Sequence, residues 1–411
     1  MDWDFSPPPL SELKDHDVAE MGTRLKNRRI ALLITGSIAA YRTPDLIREL
    51  RREGADVVVF ISEGGRRYVA EQTLQWCSLN SVITGFSAEA EHLSDTAPFD
   101  VYLIAPATYN TINAIALGTA DNVITSTLAS GLGKMERKQA VVLIAPAMHG
   151  SMHNSILNDS LKKLHTMGVH IIPPRQENGK NNLASNEKIV ADTIRSVSGF
   201  DLQGKEILVT GGATPVYLDH IRCITNHFTG ALAINIAKEA YFRGAKVHLL
   251  LGRGSQDAPE YLNTTVIRTY DDYVATIESI LNTHSVGIGI FTAAVADYRP
   301  ENVYSGKIPS GEPQTWKLIP TEKVIKRVRR KFPELFMAAF KYEENISHEK
   351  LMEIAQARLQ EGYPIVVANR GEEKGPQGEQ VAWLVEQDQS VRRMLGKLEI
   401  AQHLLNCLAK K

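Results

Sequence analysis

The chain begins twice. Residues 28–62, RRIALLITGSIAAYRTPDLIRELRREGADVVVFIS, read as an apolar strand, a glycine turn, a helical pattern and a second apolar strand. Residues 205–252, KEILVTGGATPVYLDHIRCITNHFTGALAINIAKEAYFRGAKVHLLLG, follow the same order with a longer loop. Each apolar run is short, β-branched and continuous, the pattern of a strand covered on both faces. That is how a parallel α/β sheet opens. At 411 residues the chain exceeds one ordinary core. We therefore expect two doubly wound, Rossmann-like α/β domains joined near SVSGFDLQGK, 196–205. The expected divisions are an N-terminal arm over 1–27, a first domain over 28–197 and a second over 198–411.

Further strands of the first domain are expected at 100–104, 141–145 and 169–172, with helices near 43–53, 65–78, 109–117, 121–131, 154–167 and 186–197. In the second, strands are expected near 206–210, 246–251, 265–269, 287–292, 365–368 and 381–386. Its helices are expected near 229–243, 271–283, 321–331, 347–361 and 395–409.

Charge narrows the partners. The net charge is −1, so no global basic field points to nucleic acid or an anionic membrane, and any anion site must be local. Cys77, Cys223 and Cys407 are odd in number and widely spaced, which argues against a disulfide framework or a zinc site and fits a reducing cytoplasm. The opening MDWDFSPPPLSELKDHD is acidic and proline-rich, without an apolar leader core, and no segment reaches transmembrane length. Residues 1–27 read as an arm that is disordered or orders on contact.

In open α/β sheets ligands bind beyond the carboxyl ends of the strands. Three such ends in the first domain carry small or polar residues. TGSIAAY (35–41) offers the amides of Gly36, Ser37 and Ile38 at a helix N-terminus, and the Ser37 hydroxyl. From this stretch alone an ordinary βα turn and a phosphate seat both fit. Lacking a full GxGxxG, it favours a mononucleotide over a dinucleotide. FISEGG (60–65) adds the Ser62 hydroxyl. APATYNT (105–111) places Ala105, Pro106, Ala107 and Thr108 where a backbone can approach a flat ring. His92, in EHL (91–93), taken alone reads as a surface or loop histidine, and only its register with the other motifs makes it a catalytic candidate.

These motifs, in this order with ADNVITSTL (120–128) and APAM (145–148), resemble the bifunctional coenzyme A biosynthesis family over roughly residues 28–411. That family joins phosphopantothenoylcysteine decarboxylase to phosphopantothenate–cysteine ligase. The resemblance implies an FMN site at the three strand ends, with Thr125 contributing, and makes His92 the catalytic histidine. FMN in the family oxidises the cysteine moiety, giving a thioaldehyde-type intermediate that accepts the electrons left by CO2. A histidine near neutral pKa suits the accompanying proton transfer. Two positions depart from the family. Its Pro-Ala-Met-Asn places an asparagine amide on the substrate carboxylate; here Met148 is followed by His149, read as a replacement at a substrate-facing position. Its flap carries a cysteine in an Ala-Cys-Gly context, whereas PRQENGKNNLASNEKIV (174–190) has none, with Ser185 a poor substitute.

In the second domain, VTGGATPVYLD (209–219) again places glycines after a strand. CITNHFTGALA (223–233) resembles the family's Ile-Ser-Asn-x-Ser-Ser-Gly, so Asn226 is implied to hold an acyl-cytidylate intermediate. FTAAVADYRP (291–300) carries Ala294 and Asp297, implied to line the nucleotide pocket; out of context it reads also as a plain strand end. SGKIPS (305–310) carries Lys307, the counterpart of the family's essential lysine, with Pro309 where the family has a second lysine. Phe340 in AAFKYEEN (338–345) is implied to meet a base, and Asn369 ends the VVAN turn (366–369). The family's Phe-x-x-Asp-x-Asn motif is not recognisable in 375–385. The implied reaction activates the 4′-phosphopantothenate carboxylate with CTP and Mg2+, after which the amine of cysteine displaces CMP. The resemblance also implies trimers through the flavin domain and dimers through the ligase domain, together a dodecamer. The departures leave two other readings: an amide ligase fused to a flavoprotein that acts on another substrate, or a ligase with a non-decarboxylating flavin domain.

Overall fold

The continuous apolar runs become the inner strands of two separate sheets. The computed structural model describes residues 6–7, 9–177 and 180–410; residues 1–5 and 8 of the arm and 178–179 of the flap segment lie outside the described residues. The chain divides into two compact units, 1–198 and 199–411.

In the first unit the strands are β1 (Arg29–Ile34), β2 (Asp56–Ile61), β3 (Val101–Ala107), β4 (Val141–Pro146) and the short β5 (His170–Ile171). They form one parallel sheet in the order β2-β1-β3-β4-β5. Five helices alternate with them in sequence: α1 (Thr43–Arg52), α2 (Glu71–Ser78), α3 (Tyr109–Leu117), α4 (Val123–Glu136) and α5 (Ser155–Thr166). A hairpin of β6 (Arg175–Glu177) and β7 (Lys180–Asn182) then leads to α6 (Asn186–Val197). Helix α1 buries Thr43, Leu46, Ile47 and Leu50, one stripe at helical spacing. It packs with α6 on one side of the sheet, while α3, α4 and α5 share a core with Leu33, Phe60, Tyr102 and Ile104 on the other. Each wholly buried Leu or Ile contributes roughly 1.5–3 kcal/mol relative to exposure. Part of the expected arm is ordered: the amides of Met21 and Leu25 donate to the Arg52 and Glu53 carbonyls at the end of α1, and Leu25 is fully buried.

The second unit contains β8 (Glu206–Gly211), β9 (Val216–Tyr217), β10 (Cys223–Ile224), α7 (Ala231–Phe242), β11 (Lys246–Gly252), β12 (Asn263–Ile267), α8 (Tyr270–Thr283) and β13 (Ile288–Phe291). It continues with β14 (Tyr298–Pro300), β15 (Leu318–Pro320), α9 (Val324–Lys331), β16 (Phe336–Glu343), α10 (His348–Gln360), β17 (Ile365–Arg370), β18 (Val381–Glu386), β19 (Val391–Leu395) and α11 (Gly396–Ala409). The main sheet has eight strands in the order β12-β11-β8-β13-β16-β17-β18-β19, parallel except for the last two. Helices α7 and α11 cover one face; α8, α9 and α10 cover the other. Gly211 ends β8 so tightly against α7 that a Cβ there would fall 2.2 Å from the Ala233 Cβ.

Both sheets are doubly wound α/β, as the two beginnings predict. The details differ in places. The helix expected over 65–78 is a single 3-10 turn, Gly65–Arg67, followed by α2 from Glu71; the Gly64–Gly65 pair is a poor helix start. β16 falls where no strand was expected, because its buried centre, Met337-Ala338-Ala339, has small residues and no β-branched side chain. β19 also escapes the pattern, since its Arg392 and Arg393 mark an exposed edge. Among the described residues no helix is long and apolar enough to cross a membrane.

Candidate active sites

In the first unit the chain runs from β1 out to β2 and then back across to β3, so the direction of winding reverses between β1 and β3. A crevice opens at such a point. The Thr35 hydroxyl closes its floor by donating to the Pro106 carbonyl at 2.7 Å and accepting from the Thr108 amide at 3.1 Å. Above it lies a cavity of about 830 Å³, lined among others by Gly36, Ser37, Ser62, Thr108, Thr125 and Met148. That volume is in the range of small-molecule sites.

Three element starts face this cavity. Ser37 caps the 3-10 helix Ile38–Arg42, its hydroxyl accepting from the Ala39 amide at 3.3 Å. Thr108 caps α3 through the Thr111 amide at 3.4 Å. Asn122 and Thr125 form a capping box at the start of α4. Their free amides and positive dipole ends suit a phosphate and the carbonyl edge of a ring. Gly36 and Gly64 touch: a Cβ on Gly36 would lie 3.2 Å from the Gly64 backbone. The donor set, the volume and this side-chain-free approach fit a flavin mononucleotide.

Of the expected cofactor residues, Gly36, Ser37, Ser62, Thr108 and Thr125 line the cavity. Ala105, Pro106 and Ala107 are buried in β3, with the Ala105–Pro106 peptide cis. Ile38 is 68% exposed and is not in the lining. His92 does not line the cavity either. It lies in a second depression with Leu93, Lys134 and Arg137. Its ring meets Phe86 edge-on at 5.0 Å, and Phe86 lines the main cavity. The buried His92 Nδ1 has no hydrogen-bond partner. Lys134 Nζ holds the adjoining turn, donating to the Leu93 carbonyl at 2.6 Å and the Ser94 hydroxyl at 2.7 Å.

His149, expected to face the substrate, is not among the residues lining the cavity. Its ring is exposed, and Nδ1 turns back onto its own 3-10 turn, accepting from the Ser151 amide at 3.2 Å and pairing with the Ser151 hydroxyl at 2.8 Å. The neighbours Met148 and Met152 line the cavity instead. The flap segment is a hairpin fastened to this rim: the Met148 amide donates to the Asn181 carbonyl at 3.2 Å, and Asn181 Nδ2 lies 3.0 Å from His153 Nδ1. Ser185 caps α6 through the Lys188 amide. Thr35 and Phe86 were not anticipated; the Asn122-x-x-Thr125 cap was legible as spacing.

In the second unit the winding reverses between β8 and β13. The carboxyl ends of these strands are laced together. Ala294 donates its amide to the Gly212 carbonyl at 2.8 Å, and its carbonyl accepts from the Thr214 amide and from Asn226 Nδ2 at 3.1 Å. Asn226 and Ala294 are thus brought together, leaving the Asn226 Oδ1 and one amide hydrogen for a ligand. Gly212 and Gly230 both adopt positive φ, and a Cβ on either would press on Ser255, whose buried hydroxyl has no partner. Two glycine turns and an unpaired hydroxyl suit a phosphate.

Lys307 is exposed on a loop held from below. The buried Asp219 carboxylate accepts from the Ile308 amide at 3.0 Å, the Ile221 amide at 2.7 Å, and the Arg222 guanidinium at 2.6 Å. The His220 amide donates to the Gly306 carbonyl at 3.0 Å. The segment leading to Asn226 and the loop bearing Lys307 are therefore one assembly. Burial alone would raise the Asp219 pKa, but the amide donors and Arg222 outweigh it and hold the carboxyl well below its usual range. Sequence reasoning missed Asp219 and Arg222; their i, i+3 spacing in a loop was the available signal.

Asp297 does not stand free at the pocket: its carboxylate pairs with Lys323 just before α9. Phe340 is half-buried and packs against the core under α7 and α11. The aromatic pair at the surface is instead Phe228 and Tyr342, edge-on at 5.7 Å, with Asn369 directly across from Tyr342 in the sheet. A hydrogen bond to the Glu344 carboxylate, helped by burial, pushes the Tyr342 phenol up to about 12.

Fold and sites define a two-part α/β protein: one part is of the flavin-binding kind, and the other is a doubly wound sheet with glycine turns at the ends of its central strands. The Flavoprotein family model matches residues 18–198, and the model described as DNA/pantothenate metabolism flavoprotein C-terminal domain matches 202–411. The Coenzyme A biosynthesis bifunctional protein CoaBC of Thermococcus kodakarensis is 35% identical over 401 residues, covering 95% of this chain and 97% of that protein. The protein of the same name from Methanocaldococcus jannaschii is 30% identical, covering 88% of each chain. A crystal structure of the C-terminal domain of such a protein covers 52% of this chain and 97% of its own, at 26% identity and a TM-score of 0.44. The chain belongs to the family of coenzyme A biosynthesis bifunctional proteins.

Proposed function

We propose that the chain makes 4′-phosphopantetheine in two steps, each carried by one unit. The second unit joins 4′-phosphopantothenate to cysteine at the expense of CTP, and the first decarboxylates the phosphopantothenoylcysteine formed. The observation that carries this is that both units end their central strands, where the winding reverses, in glycine turns with hydroxyls and amides, over a cavity in the first unit and beside Asn226 and Ser255 in the second. The cytoplasm supplies the substrates.

In the ligase crevice Asn226 holds the activated acyl group and the turns at Gly212 and Gly230 seat phosphates. Lys307, carried on the Asp219-anchored loop, neutralises charge that develops on the phosphate oxygens. Mg2+, where bound beside these turns, would supply further neutralisation of phosphate charge. In the flavin crevice Gly36, Ser37, Ser62, Thr108 and Thr125 would hold FMN, which supplies a two-electron oxidation of the cysteine moiety and its reversal. Met148 and Met152 exclude water from one wall. The setting of His92 behind Phe86, with an unsatisfied buried nitrogen, fits a proton-transfer group that reaches a site completed across a subunit boundary, in a trimer of flavin units. Dimerisation of the ligase units would then give a dodecamer.

A second reading keeps the ligase and gives the flavin unit another role. It is favoured by the engagement of His149 with Ser151 and by the absence of cysteine from 174–190. One experiment separates the two: incubate the protein with 4′-phosphopantothenate, cysteine, CTP and Mg2+, and weigh the products. Phosphopantetheine supports the first reading. Accumulation of phosphopantothenoylcysteine supports the second. No amide product sinks both.

A further inference from the structure

At the amino end of the second sheet, opposite the ligase crevice, two side chains from neighbouring strands and one from the loop after α8 converge. Glu206 starts β8, His248 is on β11, and His284 follows α8 just before β13; β11, β8 and β13 are adjacent. His248 Nε2 lies 2.6 Å from Glu206 Oε1, and His284 Nδ1 lies 3.5 Å from the same oxygen. One ligand atom from each residue falls within 4.8 Å of the others. The two imidazoles are tilted toward one another with centroids 4.4 Å apart. His248 is 3% exposed and His284 opens the cluster to water.

We propose that Glu206, His248 and His284 bind a divalent transition-metal ion of the zinc, cobalt or nickel class, stapling the amino ends of β8 and β11 to the loop that leads into β13. Two imidazole nitrogens and one carboxylate are borderline donors that favour such ions over Mg2+. A tetrahedral ion with bonds of about 2.0–2.2 Å spaces its ligand atoms roughly 3.3–3.6 Å apart, so the Glu206–His248 pair, now 2.6 Å apart, opens by up to about 1 Å to admit it. The fourth position faces water beside His284. Asn263 Nδ2 lies 3.4 Å from His248 Nδ1, and with its amide turned its oxygen accepts that ring N–H, leaving Nε2 for the metal. Lys246 Nζ, 2.8 Å from Glu206 Oε1, supplies the positive charge beside that carboxylate. Its side chain is 61% exposed, so it can withdraw into water when the ion enters.

Lys246 therefore competes with the metal, and that competition sets the test. Zinc is titrated calorimetrically into the full-length chain without an affinity tag, and cobalt is followed by its visible absorption. One ion per chain is expected, unaffected by excess Mg2+. His284→Ala, at an exposed position that leaves the core intact, weakens zinc binding by at least about tenfold. Lys246→Met tightens it severalfold, a gain that misfolding does not produce. No zinc binding, binding unchanged by His284→Ala, or binding weakened by Lys246→Met overturns the proposal. Neither ligase nor decarboxylase activity enters the readout.

Discussion

Lys307 stands at the surface, yet nothing about its position is casual. Its loop is fixed to the buried Asp219 carboxylate, and the two residues make different predictions. Lys307→Ala removes a charge met only as phosphate charge develops, so amide formation slows by on the order of 10²-fold while bound flavin is unchanged. A kcat measured at saturating CTP checks this. Asp219→Asn loses acceptor strength at every amide it serves. Because the folded-state pKa of Asp219 lies below its ordinary 3.8, the stability it adds is complete above that value and disappears as pH falls through the folded value. Urea unfolding should therefore show wild type above Asp219→Asn at pH 6, with the gap closing below about pH 4. A gap that stays constant down to pH 3 would mean that the carboxylate charge plays no part.

At the scale of elements, the glycines of the first crevice carry the sharpest prediction. Backbone faces backbone where Gly36 meets Gly64, so a methyl group at 36 would require the Gly64 backbone to give by a few tenths of an ångström. Gly36→Ala is expected to cost about 1–3 kcal/mol of stability and to lower the fraction of flavin retained through gel filtration, read from visible absorbance. Such turns were readable from sequence because apolar runs ending in Gly and a hydroxyl leave few alternatives. So were most helices: α3 spans the expected 109–117, and α8 begins one residue before the expected 271. β16 was hidden because Ala338 and Ala339 carry no strand signature. Asp297 and Phe340 were placed at the pocket by motif, but their partners, Lys323 and the core beneath α7, come from distant sequence. The Asp219 hub was missed for the same reason: its ligand amides at 221 and 308 meet only in the fold.

At the scale of the molecule, each unit has its own sheet and its own core. Flavin retention should track assembly of the first unit if His92 acts across a boundary. Substitutions that leave the protein monomeric are expected to release FMN on dilution, with ligase turnover falling far less; sedimentation and absorbance on one sample decide it. A monomer that keeps its flavin would count against a shared site. The close seat of α7 on β8 reaches further, into the protein's descent. A Cβ at 211 and the methyl of Ala233 claim the same space, 2.2 Å apart. No lineage can have acquired a side chain at 211 without first surrendering the one at 233, so across relatives these two positions should covary, a historical record of one shared volume.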